Sequence, residues 1–427
     1  MKRRSVLAGA AGVSATVVAT ALTAPKPALA QGQRVLKMVT AWPRNFPGLG
    51  TSANRLARSI TDASDGELTV KLYAAGELVP AGRVFDAVSK GEADMYHAAE
   101  YYWEGKSKAF NFFASVPFGM TALELDTWLS KLGGQELWDT LSGRYNIKAM
   151  AAGNTGVQMG GWSNKRIETP EELKGLKIRM PGLAGEVLRR LGARTVSVSP
   201  AAMIAALKSG RIDATEWLGP WSDMALGLHK AARFYYWPGF QEPGTMISLG
   251  INRGIWDDLK PRHRRLIELA SHAESQRMLA DFNRKNSEAI FAIQKLKAVD
   301  LVRYPKAVLL AFAGASEKVI AQSVKGDAVG EKIHASFMAT RAKLARWMKY
   351  SDESYLVARR LPFAYSRLPS VEASAPDTGA SKPEPTRKPS GGAPSGQRRP
   401  PPRPRTAAAQ PPAETPNPAP GLTFNEN

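Results

Sequence analysis

The chain has 427 residues, contains no cysteine and carries a formal net charge of +20 at neutral pH. The absence of cysteine excludes disulfide bonds, thiolate metal sites and catalysis by a thiol. The basic surplus favours acidic partners or membrane surfaces. However, the lysines and arginines are scattered and no nucleic-acid-binding motif is present, so we do not expect nucleic acid as a partner.

The first thirty residues have the features of an export signal. A basic start with Arg3 and Arg4 precedes a weakly apolar run at 8–24, and residues 28–30 read Ala-Leu-Ala, a cleavage site. The adjacent arginines and the low hydrophobicity favour the Tat route, which exports folded proteins, with a Sec signal as the alternative. We therefore expect residues 1–30 to be removed and the mature protein to be soluble in the periplasm.

Strand and helix patterns alternate in the next segment of the chain. Period-two apolar spacing predicts strands, and spacing close to 3.6 residues predicts helices. The predicted elements are a strand at 35–40, a helix at 50–63, a strand at 68–73, a helix at 84–88 and a strand at 93–96. This alternation favours an α/β fold with mostly parallel sheets, and the length of residues 31–369 favours two lobes.

One pattern recurs along the chain. Residues 85–95 (FDAVSKGEADM) resemble residues 204–214 (IAALKSGRIDA): each has an apolar helix end, a glycine that can adopt the left-handed cap conformation, and an aspartate at the start of a strand. The repetition predicts two lobes of similar build that face a shared cleft.

Three segments near the middle of the chain combine the residue types of a small-anion pocket. Residues 153–162 read GNTGVQMGGW, residues 176–182 read LKIRMPG and residues 210–221 read GRIDATEWLGPW. Arginine suits a carboxylate, glutamate suits a hard metal ion and tryptophan provides an aromatic wall. No obvious nucleophile accompanies these residues, so we interpret the pocket as one that binds a solute.

An exported enzyme is the rival interpretation, with Glu216 and Glu242 as a carboxylate pair for acid–base catalysis. The histidines show neither metal-ligand nor triad spacing, and the sequence has no Gly-rich dinucleotide or phosphate loop. The five histidines are His97, His229, His263, His272 and His334.

The end of the chain has two parts of different composition. Residues 336–360 have the apolar spacing of a long helix, typical either of a core helix or of a dimer contact. Residues 370–427 hold 14 of the 30 prolines and almost no large apolar side chains. They cannot bury enough apolar surface to offset the entropy of ordering, so we predict a disordered Pro-rich tail, either dispensable or a tether.

Taken together, these segments resemble the extracytoplasmic solute receptors of TRAP transporters, and most closely the α-keto-acid-binding subgroup. The matching segments span roughly residues 35–365 and lie at 39–43, 71–80, 97–103, 110–113, 117–119, 154–162, 179–183, 215–217 and 236–240. The resemblance implies an α/β, two-lobed periplasmic solute-binding protein with a hinge, a central cleft and a long C-terminal helix. It also implies that the receptor delivers its solute to TRAP membrane permease subunits.

The resemblance also implies roles for individual residues. Arg179 matches the arginine that pairs with a ligand carboxylate, and its planar fork suits that pairing. Gln158, Glu216, the backbone of Trp217 and Glu242 match positions that hold a cation bridging to the ligand. An all-oxygen set suits a hard ion, so we expect Na⁺ or Ca²⁺.

The pocket walls follow from the same match. We expect Tyr101 to line the lobe opposite Arg179 together with Tyr102, Trp217 to form an aromatic wall, and Asn154 to donate a hydrogen bond. Trp103 is a weaker candidate than Tyr101, and Gln241 is not counted as a ligand.

The implied solute is a small 2-oxo or 2-hydroxy monocarboxylate such as pyruvate. We expect a hinge at Gly160 and Gly161 or at Gly182, and a closed form that the permease recognises. In the family a long C-terminal helix can mediate homodimers. A periplasmic sensor that presents ligand to a receptor kinase would share the same pocket and differ only in its partner.

Overall fold

Two mixed β-sheets with flanking helices organise the part of the chain that the computed structural model describes, residues 33–199 and 202–362. The strands are, in chain order, β1 (Arg34–Thr40), β2 (Leu68–Tyr73), β3 (Met95–Ala98), β4 (Ile147–Asn154), β5 (Gly161–Ser163), β6 (Lys177–Arg179), β7 (Arg194–Thr195), β8 (Ala214–Thr215), β9 (Phe234–Trp237), β10 (Met246–Asn252) and β11 (Asp300–Arg303). The first sheet has the order β2-β1-β3-β10-β4 and the second has the order β11-β9-β5-β8-β6-β7.

Twelve α-helices occur in the described ranges. They are α1 (Leu49–Ala63), α2 (Val84–Ser89), α3 (Ala122–Lys131), α4 (Gly134–Gly143), α5 (Gly182–Arg190), α6 (Met203–Lys208), α7 (Pro220–Leu226), α8 (Arg253–Asp258), α9 (Pro261–Gln294), α10 (Lys306–Ser323), α11 (Ala328–Tyr350) and α12 (Asp352–Ala358). Within the ranges that are described, none of them is both long and apolar enough to cross a membrane.

The predicted export signal and the Pro-rich tail at 370–427 lie outside the described residues. The predicted strands and helices of the first segment are confirmed as β1, α1, β2 and α2. The third strand begins at Met95 rather than at residue 93, because Asp94 hydrogen-bonds to the Lys37 backbone through both its amide and its side chain.

The predicted internal repeat is confirmed at the level of single hydrogen bonds. In the first lobe the Lys37 amide donates to Asp94 Oδ2, and the Asp94 amide donates to the Lys37 carbonyl. In the second lobe Lys177 and Asp213 make the same pair of bonds. The strand orders β2-β1-β3 and β7-β6-β8 also match, and both sets are parallel. The two lobes therefore share one structural unit.

The prediction of mostly parallel sheets needs a correction, since both sheets are mixed and the described strands form five parallel and four antiparallel pairs. Strand β10 runs antiparallel to β3 and β4, and β5 runs antiparallel to β8 and β9. The chain crosses from the first sheet to the second through β4 and β5 and returns through β9 and β10, side by side in opposite directions. A strand that continues directly from the other sheet has no crossover helix to restore the parallel direction.

Helices tie the two lobes together. Helix α9 packs against α1 of the first lobe and against α7 of the second. The chain crosses to the second lobe again through α9, which leads from β10 to β11. Helix α10 packs on α5, whereas α11 packs on α4, so the chain crosses between the lobes a fourth time near residues 324–327. The predicted long helix at 336–360 is corrected in two ways. It begins at Ala328, where Asp327 caps it, and it is interrupted at Ser351.

A glycine in the first sheet provides a test of this packing. Gly250 on β10 lies opposite Tyr96 on β3, and a Cβ atom at Gly250 would lie 2.1 Å from two atoms of that ring. We expect Gly250→Ala to lower the free energy of unfolding by about 1–3 kcal/mol, as overpacking usually does.

Urea unfolding measures this effect, with Gly314→Ala as the matched control. Gly314 is on α10 and nothing lies within 4 Å of its hypothetical Cβ, so alanine there should stabilise the helix by about 0.5–1 kcal/mol. A Gly250→Ala variant as stable as the parent protein would contradict the packing described here.

Candidate functional site

A small cavity lies where the two lobes meet. Its volume is about 10 Å³, counted as the space open to the centre of a water molecule. The first lobe and the strand that returns to it contribute Trp42, Leu49, Tyr101, Tyr102, Thr245 and Ile247, and the second lobe contributes Arg179, Glu216, Trp217 and Leu218.

The topology explains why these side chains converge. Arg179 is the last residue of β6, and Glu216 directly follows β8. Trp42 follows β1, and Tyr101 follows β3 in a short 3-10 helix. Carboxyl ends of parallel strands meet at one edge of a sheet, which is where α/β proteins bind ligands. The equivalent edges of the two repeated units therefore face each other across the cavity.

Arg179 is held in place by the loop after β8. Its Nη1 group donates to the backbone carbonyl of Glu216 (2.6 Å) and to Glu216 Oε2 (3.0 Å). Its guanidinium carbon lies 5.4 Å from the centre of the Trp217 ring, a cation–π contact. Among the described residues no acceptor bonds to Nε or Nη2, so these two donors can serve the carboxylate of a ligand.

Glu216 and Glu242 form a buried carboxylate pair. Gln158 Nε2 donates to Glu242 Oε2 (2.8 Å) and to Thr245 Oγ1 (3.1 Å), and the Thr245 hydroxyl donates to Glu242 Oε2. Burial raises the pKa of both carboxyl groups, and for Glu216 repulsion by Glu242 raises the pKa further. Arg179 opposes the rise at both positions. When both carboxyl groups are ionised, their charges exceed the single positive charge of Arg179, so the buried site carries a net negative charge.

The oxygen atoms around this pair fit a hard cation. Gln158 Oε1 and Glu216 Oε1 are buried and have no hydrogen-bond partner in the described structure. Buried polar oxygens without partners are costly, and a cation would satisfy them. Residues 33–199 and 202–362 contain no group of three His, Cys, Asp or Glu residues that could hold a metal. A cation here must therefore also use amide, backbone or ligand oxygens.

The predicted site residues fall into three groups. Tyr101, Arg179, Glu216 and Trp217 line the cavity, and Gln158 and Glu242 bond to Thr245, which also lines it. Asn154 stands apart from the lining, with its Oδ1 accepting from the Gly156 amide and its Nδ2 buried without a partner.

The structure also shows the positions of two residues that the sequence analysis ranked lower, Trp103 and Gln241. Trp103 packs in the core against Phe85 and Tyr96 instead of lining the cavity. Gln241 Nε2 donates to the Met159 carbonyl, while Gln241 Oε1 is buried without a partner, so this amide offers an oxygen that the sequence interpretation had set aside.

Several cavity residues are absent from the sequence-based prediction. Thr245 follows the Glu-Pro-Gly turn, and its closeness to Glu242 in the sequence could have identified it as a candidate. The apolar members have the pattern of ordinary core residues, so no signal in the sequence separates them. The missed residues are Trp42, Leu49, Leu218, Thr245 and Ile247.

A buried aspartate supports the loop that carries Glu216 and Trp217. Asp223 Oδ1 accepts from the Leu218 amide (3.1 Å), and Oδ2 accepts from Trp162 Nε1 (2.9 Å) and the Tyr235 hydroxyl (2.8 Å). Burial raises the pKa of Asp223 to about 6, although these hydrogen bonds oppose the rise. These hydrogen bonds hold the loop that carries Glu216 and Trp217 in place through the protein's own contacts.

Comparison with known proteins agrees with this arrangement. A family model described as "Bacterial extracellular solute-binding protein, family 7" (DctP) matches residues 38–327. The monocarboxylate 2-oxoacid-binding periplasmic protein of a Nostoc species is 34% identical over 358 residues, which cover 83% of this chain and 98% of the Nostoc protein.

Solved structures give the same result. A TRAP periplasmic solute-binding protein from Pseudoalteromonas atlantica, with bound sodium and pyruvate, is 35% identical with a TM-score of 0.74, covering 76% of this chain and 99% of that protein. A TRAP solute-binding protein from Bordetella bronchiseptica, a mixed-occupancy dimer with calcium and picolinate, is 31% identical with a TM-score of 0.73, covering 76% of this chain and 98% of the other.

Proposed function

The chain belongs to the DctP family of bacterial extracellular solute-binding proteins, and we propose that its solute is a short 2-oxo or 2-hydroxy monocarboxylate bound with a cation. The observation that carries this proposal is the buried Glu216–Glu242 pair beside Arg179, with unpaired oxygens, in a cavity between two lobes. The family consists of solute receptors, so the chain is a TRAP receptor rather than an enzyme.

Each residue then has a chemical role. Arg179 Nε and Nη2 pair with the solute carboxylate, because a planar guanidinium can donate two parallel hydrogen bonds to it. Gln158 Oε1, the two glutamates and the Trp217 carbonyl hold Na⁺ or Ca²⁺, both of which prefer oxygen ligands. The cation offsets the negative charge of the carboxylates and binds the solute's own oxygens.

The remaining predicted residues orient the solute. Tyr101 closes the first-lobe side of the cavity, and the Trp217 ring covers the apolar part of the solute. The unpaired Asn154 Nδ2 is a donor that can stabilise the segment carrying Gln158 or the solute itself.

Binding couples to closure because both lobes contribute to the cavity. A solute and a cation that contact both lobes favour the closed form by the difference in affinity between closed and open forms. Lys108, the first residue of a 3-10 helix in the first lobe, pairs with Glu186 on α5 of the second lobe, and this contact also favours closure. Gly160 and Gly161, at the start of β5, and Gly182 remain our hinge candidates.

The proposed setting is the periplasm, after export by the signal at residues 1–30, with a TRAP permease as the partner that takes up the solute. A sensor kinase is the alternative partner. The family match supports transport, because the matched solved structures are TRAP solute-binding proteins.

Calorimetric titration tests the proposal. Protein would be unfolded and refolded in chelator, then titrated with pyruvate in the presence and absence of Na⁺ or Ca²⁺. We expect one site whose affinity falls without the cation. Affinity that ignores cations would retain the receptor and reject the cation site, whereas no binding of any 2-oxo or 2-hydroxy acid of three to six carbons would reject the proposed solute class.

A homodimer through the C-terminal helices is a further part of the proposal. Trp347 and Tyr350 at the end of α11 are 63% and 76% exposed, and the nearby chain segment also exposes Tyr355, Val357 and Leu361. The core-helix interpretation therefore fails for Trp347. Several large apolar side chains exposed on one chain segment are typical of a protein contact, and the Bordetella relative is a dimer.

Light scattering after size-exclusion chromatography measures the oligomeric state. We expect a dimer for the parent chain and a monomer for Trp347→Glu combined with Tyr350→Glu. Leu310→Glu is the matched control, since Leu310 on α10 is equally exposed but lies outside this chain segment. A parent chain that is monomeric at tens of micromolar would contradict this proposal.

A further inference from the structure

The lining of the cavity divides into a polar and an apolar side. On the polar side Arg179 bonds to Glu216, Thr245 bonds to Glu242, and the charges of Arg179 and Glu242 attract each other. The apolar side belongs to one contiguous core cluster that contains Trp42, Leu49, Leu218 and Ile247. A solute held by its carboxylate at the polar side must direct its carbon chain towards the apolar side.

The apolar wall is tightly packed from behind. Leu49 and Ile247 are 2% and 1% exposed. A Cβ atom at Gly153 would lie 2.4 Å from Met278 Sδ and 3.1 Å from Ile247 Cβ, so no space separates Ile247 from helix α9. Ile247 therefore cannot retreat to admit a longer solute.

Leu49 is fixed in a similar way. It is the first residue of α1, and the preceding Gly48 has a φ of +79°. A Cβ atom at Gly48 would lie 2.4 Å from the Phe282 ring on α9 and 3.2 Å from the Trp221 ring. The start of α1 is thus pressed against α9 and α7, and the Leu49 side chain stays at the cavity.

We propose that Leu49 and Ile247 set the longest carbon chain that the receptor accepts, limiting it to solutes with one or two carbons beyond the 2-oxo group. This inference rests on the proposed function. The close packing behind both side chains supports it, since neither Leu49 nor Ile247 has space to move away from the cavity. The Bordetella relative of the same fold binds the larger picolinate, so the fold of the family does not by itself impose this limit.

The test compares affinities for a series of 2-oxo acids at saturating cation. Wild-type protein is titrated with pyruvate, 2-oxobutanoate, 2-oxopentanoate and 3-methyl-2-oxobutanoate. A closed apolar pocket discriminates by about 10- to 200-fold per methylene, so wild-type affinity should fall at least tenfold between 2-oxobutanoate and 2-oxopentanoate. In Leu49→Ala the ratio of these two affinities should shift by at least about tenfold towards the longer acid.

Leu56→Ala is the matched control. Leu56 is on the same helix and fully buried, but it belongs to a different apolar cluster and does not line the cavity. Both variants should lower the melting temperature, whereas only Leu49→Ala should change the selectivity. If Leu49→Ala does not fold, Ile247→Val removes one methyl group from the same wall and should shift the ratio in the same direction.

The outcomes separate the inference from the function on which it rests. Wild-type protein that binds none of the four acids would reject the proposed function. Protein that binds pyruvate and 2-oxopentanoate equally, or wall variants with unchanged selectivity, would overturn the inference while the function stands.

Discussion

Replacing Arg179 with glutamine is expected to lower the affinity for a 2-oxo monocarboxylate by at least about 100-fold. Arg179 is buried and is the cation of the cavity lining, and one of its three donor groups is already engaged by Glu216. Without the guanidinium, a solute carboxylate would be buried beside Glu216 and Glu242 with no countercharge except the metal ion. Truncating one partner of a buried charge pair commonly costs about 2–5 kcal/mol.

Two further variants separate charge from geometry. Arg179→Lys keeps the charge and loses the planar fork, so we expect an intermediate loss of affinity. Arg190→Gln, on the exposed end of α5 and bonded to Gln322, removes the same charge far from the cavity and should leave the affinity unchanged. An Arg179→Gln variant that folds normally and binds the acid like the parent would show that Arg179 is not the carboxylate ligand.

The second large effect concerns pH and the cation together. Burial raises the pKa of Glu216 well above its usual value and that of Glu242 to about 7. In the unfolded chain each carboxyl group has a pKa of about 4.3. The folded protein therefore binds more protons than the unfolded chain between these values. The stability that the two protonated carboxyls contribute is present below about pH 4.3 and is lost as the pH rises through the folded pKa.

A bound cation replaces these protons, so its stabilising effect should increase as the pH rises through the same range. At a calcium concentration of 100 times its dissociation constant, the gain is about 2.7 kcal/mol. We expect about this gain at pH 8 and less than about 1 kcal/mol at pH 5, where protons compete for the carboxylates. Thermal unfolding with and without calcium at both pH values measures the difference.

Glu242→Gln is the informative variant. The amide keeps the size of the side chain and resembles the protonated carboxyl, so the cation gain and its pH dependence should both be reduced. Glu92→Gln, an exposed glutamate on the first lobe, is the control and should retain both. Equal calcium gains at pH 5 and pH 8 in the parent protein would contradict the placement of the cation between Glu216 and Glu242.

The local elements could be predicted from the sequence because their apolar periods are unambiguous. The alternating strand at residues 68–73 is β2 without correction, and the helical spacing of Leu56 and Ile60 marks the buried face of α1. The repeat was visible because Gly91 and Gly210 both need a positive φ, and Asp94 and Asp213 both cap a neighbouring strand.

Features that depend on long-range packing could not be predicted in the same way. The antiparallel insertion of β10 beside β3 joins residues about 150 positions apart, and nothing in the local pattern encodes it. Leu49 and Ile247 look like other core residues until the fold places them at the cavity. The structure has a break between helices at Ser351, although the helical pattern of the sequence continues through it. The break could not be predicted, because polar residues on a helix surface look the same in the sequence whether or not the helix is interrupted.

The residues of the candidate site also divide into those that the local sequence could predict and those that depend on long-range packing. Arg179 and Glu216 lie in recognisable segments at strand ends, so their neighbourhood was predictable from topology. Thr245 bonds to Glu242 and Gln158, which lie on two segments far apart in the sequence. These residues meet only because the two connections between the lobes run side by side, and this could not be predicted from the local sequence.

A crystal structure of the protein grown with pyruvate and calcium, with anomalous data to locate the metal, would show directly which residues hold the solute and the ion. We predict the pyruvate carboxylate within hydrogen-bond distance of Arg179 and calcium about 2.3–2.6 Å from oxygens of Gln158 and Glu216 and from pyruvate itself. Pyruvate bound away from Arg179, or an anomalous peak that contacts neither Gln158 nor the glutamate pair, would contradict it.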